Sequence, residues 1–105
     1  MVLKYGWRKE GLMVIGVVKI RIHVPWVHSL KEKRMEVKSI CSKVANKFNV
    51  SIAEIEEQDI HQFIVLGFAC LAGNNAHADS ILDNVINYIE GNTEGEVIIE
   101  ERELL

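Results

Sequence analysis

The sequence predicts an α+β domain of the ferredoxin-like class, in which a four-stranded antiparallel sheet carries two helices on one face. Two segments repeat apolar residues with helical spacing, and each lies between segments that have the period of a strand. The resulting order is β-α-β-β-α-β, the split βαβ arrangement. Right-handed crossovers then place the first and third strands in the middle of the sheet and leave its other face open.

The first helix is expected from Ser29 to Phe48. Ser29 and Glu32 have the spacing of a capping box, in which each side chain accepts a hydrogen bond from the other residue's backbone N–H. Lys31, Arg34 and Lys38 form a basic ridge along one flank, with no acidic residue in it. The apolar residues fall on a separate stripe, which predicts a buried face: Leu30, Val37, Ile40, Cys41, Val44 and Phe48.

The strands are expected over 13–24, 50–57, 61–72 and 96–104, and the second helix over 76–90. The first strand alternates between an apolar face and a mixed face, which indicates one buried side. The third strand is apolar on both faces, as in a central strand that is covered on both sides. The open face therefore gathers an apolar patch of the kind that usually needs a partner: Ile15, Val17, Phe63, Val65 and Leu71.

Trp26 lies in the bridge between the first strand and the first helix, directly after Pro25, which ends the strand. We interpret it as a lid over one end of the core, because a tryptophan buries a large area when it can. An exposed stacking role is the alternative.

Size and composition predict a single domain, and the order of its elements makes residues 13–105 that ferredoxin-like domain. The chain has 105 residues, of which 49% are hydrophobic. Residues 1–12 show no sustained period, so we interpret them as an N-terminal extension, with Met13 as the candidate native start. The longest apolar run is too short for a membrane helix and no signal-peptide pattern is present. We expect a cytoplasmic protein without membrane contact.

Charge is unevenly distributed along the chain. Residues 19–47 carry eight Lys or Arg and two acidic residues, whereas residues 48–105 carry one and twelve. Such a split can produce a basic binding face backed by an acidic one. Alternatively, the packing of the elements mixes the two signs over the surface, and the sequence does not decide between these arrangements. The basic face would bind RNA through Lys31, Arg34 and Lys38, joined by Lys19 and Arg21 if the surfaces connect.

The sequence offers no recognisable catalytic or metal-binding pattern. Its four histidines lack metal-ligand spacing with one another and with the two cysteines. No Ser or Cys lies in a nucleophile elbow, and no glycine-rich loop forms a phosphate cradle. We expect no metal, no cofactor and no small-molecule substrate. We interpret one acidic cluster as the edge of the sheet, where its charges discourage pairing with a further strand, and a divalent-ion site is the minor alternative. The cluster consists of Glu54, Glu56, Glu57 and Asp59.

From Met13 to Leu105 the chain resembles the YlxP-like family of small bacterial proteins. The hexapeptide Ser29-Leu30-Lys31-Glu32-Lys33-Arg34 carries most of this resemblance, and three shorter matches support it: 48–51, 66–67 and 73–74. The resemblance implies a ferredoxin-like fold and no established activity. It also implies a ribosome or RNA context, since genes of the family tend to neighbour translation-initiation and ribosome-maturation factors. The chain departs from the family at His61, where Trp is frequent, and at Asn75, where Asp is frequent.

Two functions follow from the sequence, and an enzyme ranks behind both. The first is a non-enzymatic module that binds RNA or a ribosomal particle through the basic ridge. The second is a self-associating domain, a homodimer or larger homo-oligomer, that covers its open sheet face with a second copy and has no nucleic-acid role. Against the first, the sheet lacks the paired aromatic residues of an RNA-recognition motif, and the net charge is −3.

Overall fold

The structure is a computed structural model that describes residues 13–57 and 59–105. The described residues form an α+β fold of the expected ferredoxin-like order, so that prediction is confirmed. The N-terminal extension predicted for residues 1–12 lies outside the described residues. The elements are, in chain order, β1 (Val14–His23), α1 (Leu30–Lys47), β2 (Ser51–Glu56), β3 (Phe63–Ala72), α2 (Asn75–Gly91) and β4 (Glu96–Leu104).

The sheet has the strand order β2-β3-β1-β4, and every neighbouring pair is antiparallel. β1 and β3 pair over their full lengths, from Val14 opposite Ala72 to His23 opposite Phe63, which confirms that they are the central strands. β2 and β4 form the two edges. Each edge strand contains a bulge next to its partner, one around Ile55 in β2 and one around Glu100 in β4.

The core lies between the sheet and the two helices. Alternate residues of β1 are buried there, as are Ile40 and Val44 of α1, so the predicted apolar stripe of α1 is confirmed. α2 adds a second apolar face, which includes Leu82 and Ile89. One charged residue is buried with them among the described residues: Lys33 of α1 is only 1% exposed.

Both helices begin at capping side chains. Ser29 Oγ accepts a hydrogen bond from the Glu32 N–H at 3.1 Å, as predicted. The return bond differs, because the Glu32 carboxylate accepts from the N–H of His28, at 3.4 Å. At α2, Asn74 Oδ1 accepts from the His77 N–H at 2.8 Å. These caps satisfy donors that the first helical turn leaves free, which fixes where each helix starts.

Candidate nucleic-acid interface

The outer side of α1 presents a line of exposed cations. Lys31, Arg34 and Lys38 are all exposed, and we call these three residues the basic flank. At about 1.5 Å per residue, the flank spans roughly 10 Å along the helix axis. Within the described part of the chain, none of the three forms an ion pair with a carboxylate. No carboxylate of the described residues therefore neutralises the basic flank that the sequence predicted.

The neighbours of α1 show which way the basic flank faces. Cys41, three residues after Lys38, is half-buried; desolvation, and then the nearby Glu54 carboxylate of β2, raise the pKa of its thiol. On the other side of α1, Lys47 lies 5.4 Å from the ring of Tyr88 in α2. The basic flank thus borders β2, at the outer edge of the sheet. The Cys41 thiol stays protonated at neutral pH and is no activated nucleophile.

The cations outside α1 form ion pairs within the fold. Outside α1, every Lys or Arg of the described residues forms an ion pair: Lys19 with Glu56 at 2.9 Å, Arg21 with Glu100 at 2.8 Å, and Arg102 with Asp83 at 2.7 Å. Within α1, Lys33 is the one described Lys or Arg that forms an ion pair, and its partner is Glu54. Among residues 13–57 and 59–105, the positive charge that remains for an external partner is therefore concentrated on α1.

Lys19 and Arg21 do not join the basic flank. Both project from β1 on the open face, whereas α1 covers the opposite face of the sheet. The hydrogen bond to Glu100 raises the pKa of Arg21, and a second ion pair joins Arg21 to Glu57 at 3.3 Å. The condition that the two surfaces connect is therefore not met, and the basic flank consists of Lys31, Arg34 and Lys38 without them.

The register divides the apolar patch of the open face into two parts. Ile15 lies opposite Leu71 at one end, and Val17 is the next residue of β1 on that face. At the other end, Phe63 stacks against His23 with ring centroids 4.8 Å apart. Lys19, opposite a glycine of β3, lies between the two parts. A partner that covers one part need not contact the other.

Exposure differs sharply within this patch. Leu71 is 65% exposed, whereas Val65 is 0% exposed. Val65 is paired with Arg21 on one side and Glu56 on the other, and these long side chains flank it on the open face. The sequence pattern placed Val65 on a contact surface, but its side chain offers no exposed area to a partner in this conformation.

A hollow lies beside the exposed leucine. Small residues of β2 and β3 leave a depression of about 290 Å³ next to Val17, and a second one of about 460 Å³ reaches Leu71 itself. Ser51 and Ala69 line both depressions. The open face therefore combines a projecting apolar side chain with an adjoining hollow.

The buried Lys33 is a feature that the sequence interpretation missed. Its ammonium donates hydrogen bonds to the carbonyl oxygens of Glu57 and, at 2.8 Å, Ile60. It also lies 3.1 Å from a buried carboxylate oxygen of Glu54, in an ionic contact rather than a well-directed hydrogen bond. Lys33 thereby fixes the β2–β3 turn against α1. The available signal was its spacing, since Lys33 precedes Val37 by four residues and so falls on the apolar stripe.

The acidic edge of β2 is a set of charge partners. Glu54 pairs with Lys33, Glu56 with Lys19, and Glu57 with Arg21. Glu57 also adopts a φ of 58°, the left-handed region that a non-glycine residue rarely occupies. These contacts bind the end of β2 to both α1 and β1.

Two features are absent from residues 13–57 and 59–105. No three or more His, Cys, Asp or Glu side chains come together there in a way that could hold a metal ion. In the same residues, neither helix has the length and apolar character that a membrane crossing requires.

Comparison with known proteins gives two matches. The model of the family described as "Protein of unknown function (DUF503)" matches residues 15–102. The chain is also 40% identical over 77 residues to the "Uncharacterized protein YlxP" of Bacillus subtilis (strain 168), an alignment that covers 73% of this chain and 84% of that protein. The resemblance noted from the hexapeptide is confirmed. The range matched by the family model includes all of α1 and of the β2–β3 turn.

Proposed function

The chain belongs to the protein family of unknown function DUF503, and from that premise we propose that it is a non-enzymatic module that binds RNA, free or within a ribosomal particle, through the basic flank of α1. One observation carries the proposal. The exposed cations without a carboxylate partner in the described residues all lie on α1, whereas those of the sheet are paired. Paired cations are partly neutralised, so α1 is the surface that attracts a polyanion.

The dimensions of the basic flank suit a phosphate backbone. Lys31 and Lys38 lie roughly 10 Å apart along the axis. Over that length one strand of a duplex presents about three phosphates. Each lysine or arginine that meets a phosphate releases condensed counterions, which favours binding at low salt.

The acidic elements α2 and β4 confine this contact to one side. α2 and β4 together contain seven Asp or Glu and a single Arg. Arg102 is itself bound to Asp79 and Asp83. These two elements repel a phosphate backbone, so an RNA strand would approach from the edge that β2 and α1 form.

The affinity for RNA is expected to fall steeply with salt. Three phosphate contacts predict a slope of log affinity against log salt of about −2 to −3. The double reversal Arg34→Glu with Lys38→Glu is expected to weaken binding and to reduce the slope by about 1 for each contact removed. Titration of a labelled RNA duplex at several salt concentrations measures both quantities, and circular dichroism verifies the fold.

The matched control is Lys43→Glu with Lys47→Glu. These residues lie nine positions after Arg34 and Lys38, half a turn away around α1, and the pair changes the net charge by the same amount. It should retain most of the binding. An equal loss in both double variants would show that total charge, and not the basic flank, governs the association. Binding that does not respond to salt would assign the contact to a protein partner.

A second candidate function is self-association through the open sheet face. The observation that favours it is the exposed Leu71 beside a hollow lined by Ser51 and Ala69. In a two-fold dimer, the leucine of each copy would fill the hollow of the other, since such an interface is self-complementary. This candidate uses the face opposite α1, so each function can be tested without the other.

Leu71→Lys is expected to convert an assembly into a monomer, because it places a charge in the apolar contact. Met35→Lys is the matched control, since Met35 is also 65% exposed but lies on α1. Analytical ultracentrifugation at high protein concentration gives the mass of all three proteins. A monomeric parent protein would refute self-association through this face.

A further inference from the structure

Trp26 is held at the surface by a turn with two buried ends. The N–H of Val27 donates to the carbonyl oxygen of Val24 at 3.0 Å, and the side chains of both valines are buried in the core. Trp26 itself is 41% exposed. Less than half of its surface is open to solvent, so part of the indole is available to a ligand.

The indole forms one wall of a small polar depression of about 280 Å³, which we call the Trp26 pocket. The other walls come from Glu36 of α1 and from the segment that follows α2, Asn92, Thr93 and Glu94. Three separate parts of the chain thus meet at this place. The volume lies just below the range of about 300–1,000 Å³ that holds drug-sized ligands, so it suits a single functional group on a slender carrier.

The charge of the Trp26 pocket is one-sided. Neither Glu36 nor Glu94 has an ion-pair partner within the described residues, and none of the lining residues is Lys or Arg. α2 ends beside the pocket and has no basic residue in its last turn. The partial negative charge of that helix end is therefore not balanced by a basic side chain of α2.

The hydrogen-bonding groups of the Trp26 pocket also favour a positively charged ligand that donates hydrogen bonds. The amide nitrogen of Asn92 is already used, since it donates to the carbonyl oxygen of Tyr88 at 2.8 Å, so its side-chain oxygen remains as an acceptor. Two carboxylates add further acceptors. An indole attracts a cation to its face and excludes water from one side of it.

We propose that the Trp26 pocket binds an organic cation, a guanidinium or primary ammonium group, which the indole, Glu36 and Glu94 contact together. Such a group is carried by a free polyamine or by a lysine or arginine side chain of a protein partner. The site lies on the α2 side of α1, away from the basic flank, and does not rest on the RNA function.

The binding test uses the full chain with Trp7→Phe, so that indole fluorescence reports Trp26 alone. The probes are N-acetylarginine amide, spermidine, a blocked Gly-Arg-Gly peptide and N-acetylcitrulline amide, which has the shape of the first probe without its charge. The cationic probes are expected to change the fluorescence saturably, and the citrulline compound is not. A stronger response to spermidine identifies a free polyamine as the source, and a stronger response to the peptide identifies a protein side chain.

Two substitutions test the assignment. Glu36→Gln and Glu94→Gln are each expected to weaken binding of the arginine probe by about two- to fivefold, the range for an exposed charge pair. Glu103→Gln on β4 is the control with the same change of charge and should leave binding unaltered. Equal responses to the arginine and citrulline probes, or undiminished binding in both pocket variants, would overturn the proposal.

Discussion

Lys33→Met is expected to lower the free energy of unfolding by about 3–5 kcal/mol, the usual cost of removing one partner of a buried ion pair. The substitution leaves the Glu54 carboxylate, which is mostly buried, without its cation. It also removes the donor to the carbonyl oxygens of Glu57 and Ile60, so the β2–β3 turn loses its attachment to α1. Chemical denaturation followed by circular dichroism gives the change.

Two further variants isolate the cause. Adding Glu54→Leu to Lys33→Met should recover part of the loss, because the pair is then replaced by apolar side chains and no lone charge stays buried. Lys43→Met alters an exposed lysine of the same helix and should change stability by no more than about 0.5 kcal/mol. If Lys33→Met lowered the free energy of unfolding no more than Lys43→Met does, the buried pair would not be what stabilises the β2–β3 turn.

Gly95→Ala is expected to destabilise the protein by about 1–3 kcal/mol, the range for an overpacked site. A Cβ atom at Gly95 would lie 2.6 Å from the carbonyl oxygen of His23 and 2.7 Å from Cγ2 of Ile22. Both contacts belong to the central strand β1, which cannot move aside, so the start of β4 must shift. Thermal unfolding measures the loss, and hydrogen exchange should show weaker protection at the start of β4.

Gly91→Ala is the matched control for this prediction. A Cβ atom at Gly91, the last residue of α2, meets no atom within 4 Å. Alanine is also the better helix former, so we expect a neutral or slightly stabilising change. A similar loss in both variants would mean that flexibility, rather than the close approach to β1, explains the effect at Gly95.

The order of elements was predictable because its signals are local. The alternation in β1, the two apolar faces of β3 and the capping side chain of Ser29 act over a few residues of chain. Handedness rules then leave few ways to assemble that order, so the central position of β1 and β3 also followed.

The faces of β4 were not predictable. Ile98 lies opposite Arg21 on the open face, whereas Arg102 lies opposite Val18 on the helical face. Two residues four positions apart in a regular strand would share a face. The bulge at Glu100 shifts the alternation by one residue, which brings Arg102 to Asp83 of α2 and Glu100 to Arg21. Nothing in the local sequence of β4 marked this bulge.

The sequence by itself determined that Lys31, Arg34 and Lys38 share one flank, because helical geometry fixes the positions of residues three, four and seven apart. Only the tertiary structure decided which cations stay available. Lys19 and Arg21 form ion pairs on the opposite face, and Lys33 is buried. The basic flank has no ion-pair partner among the described residues. The physical reason is that ion pairing depends on contacts between residues far apart in the chain, and strand register and helix packing set those contacts.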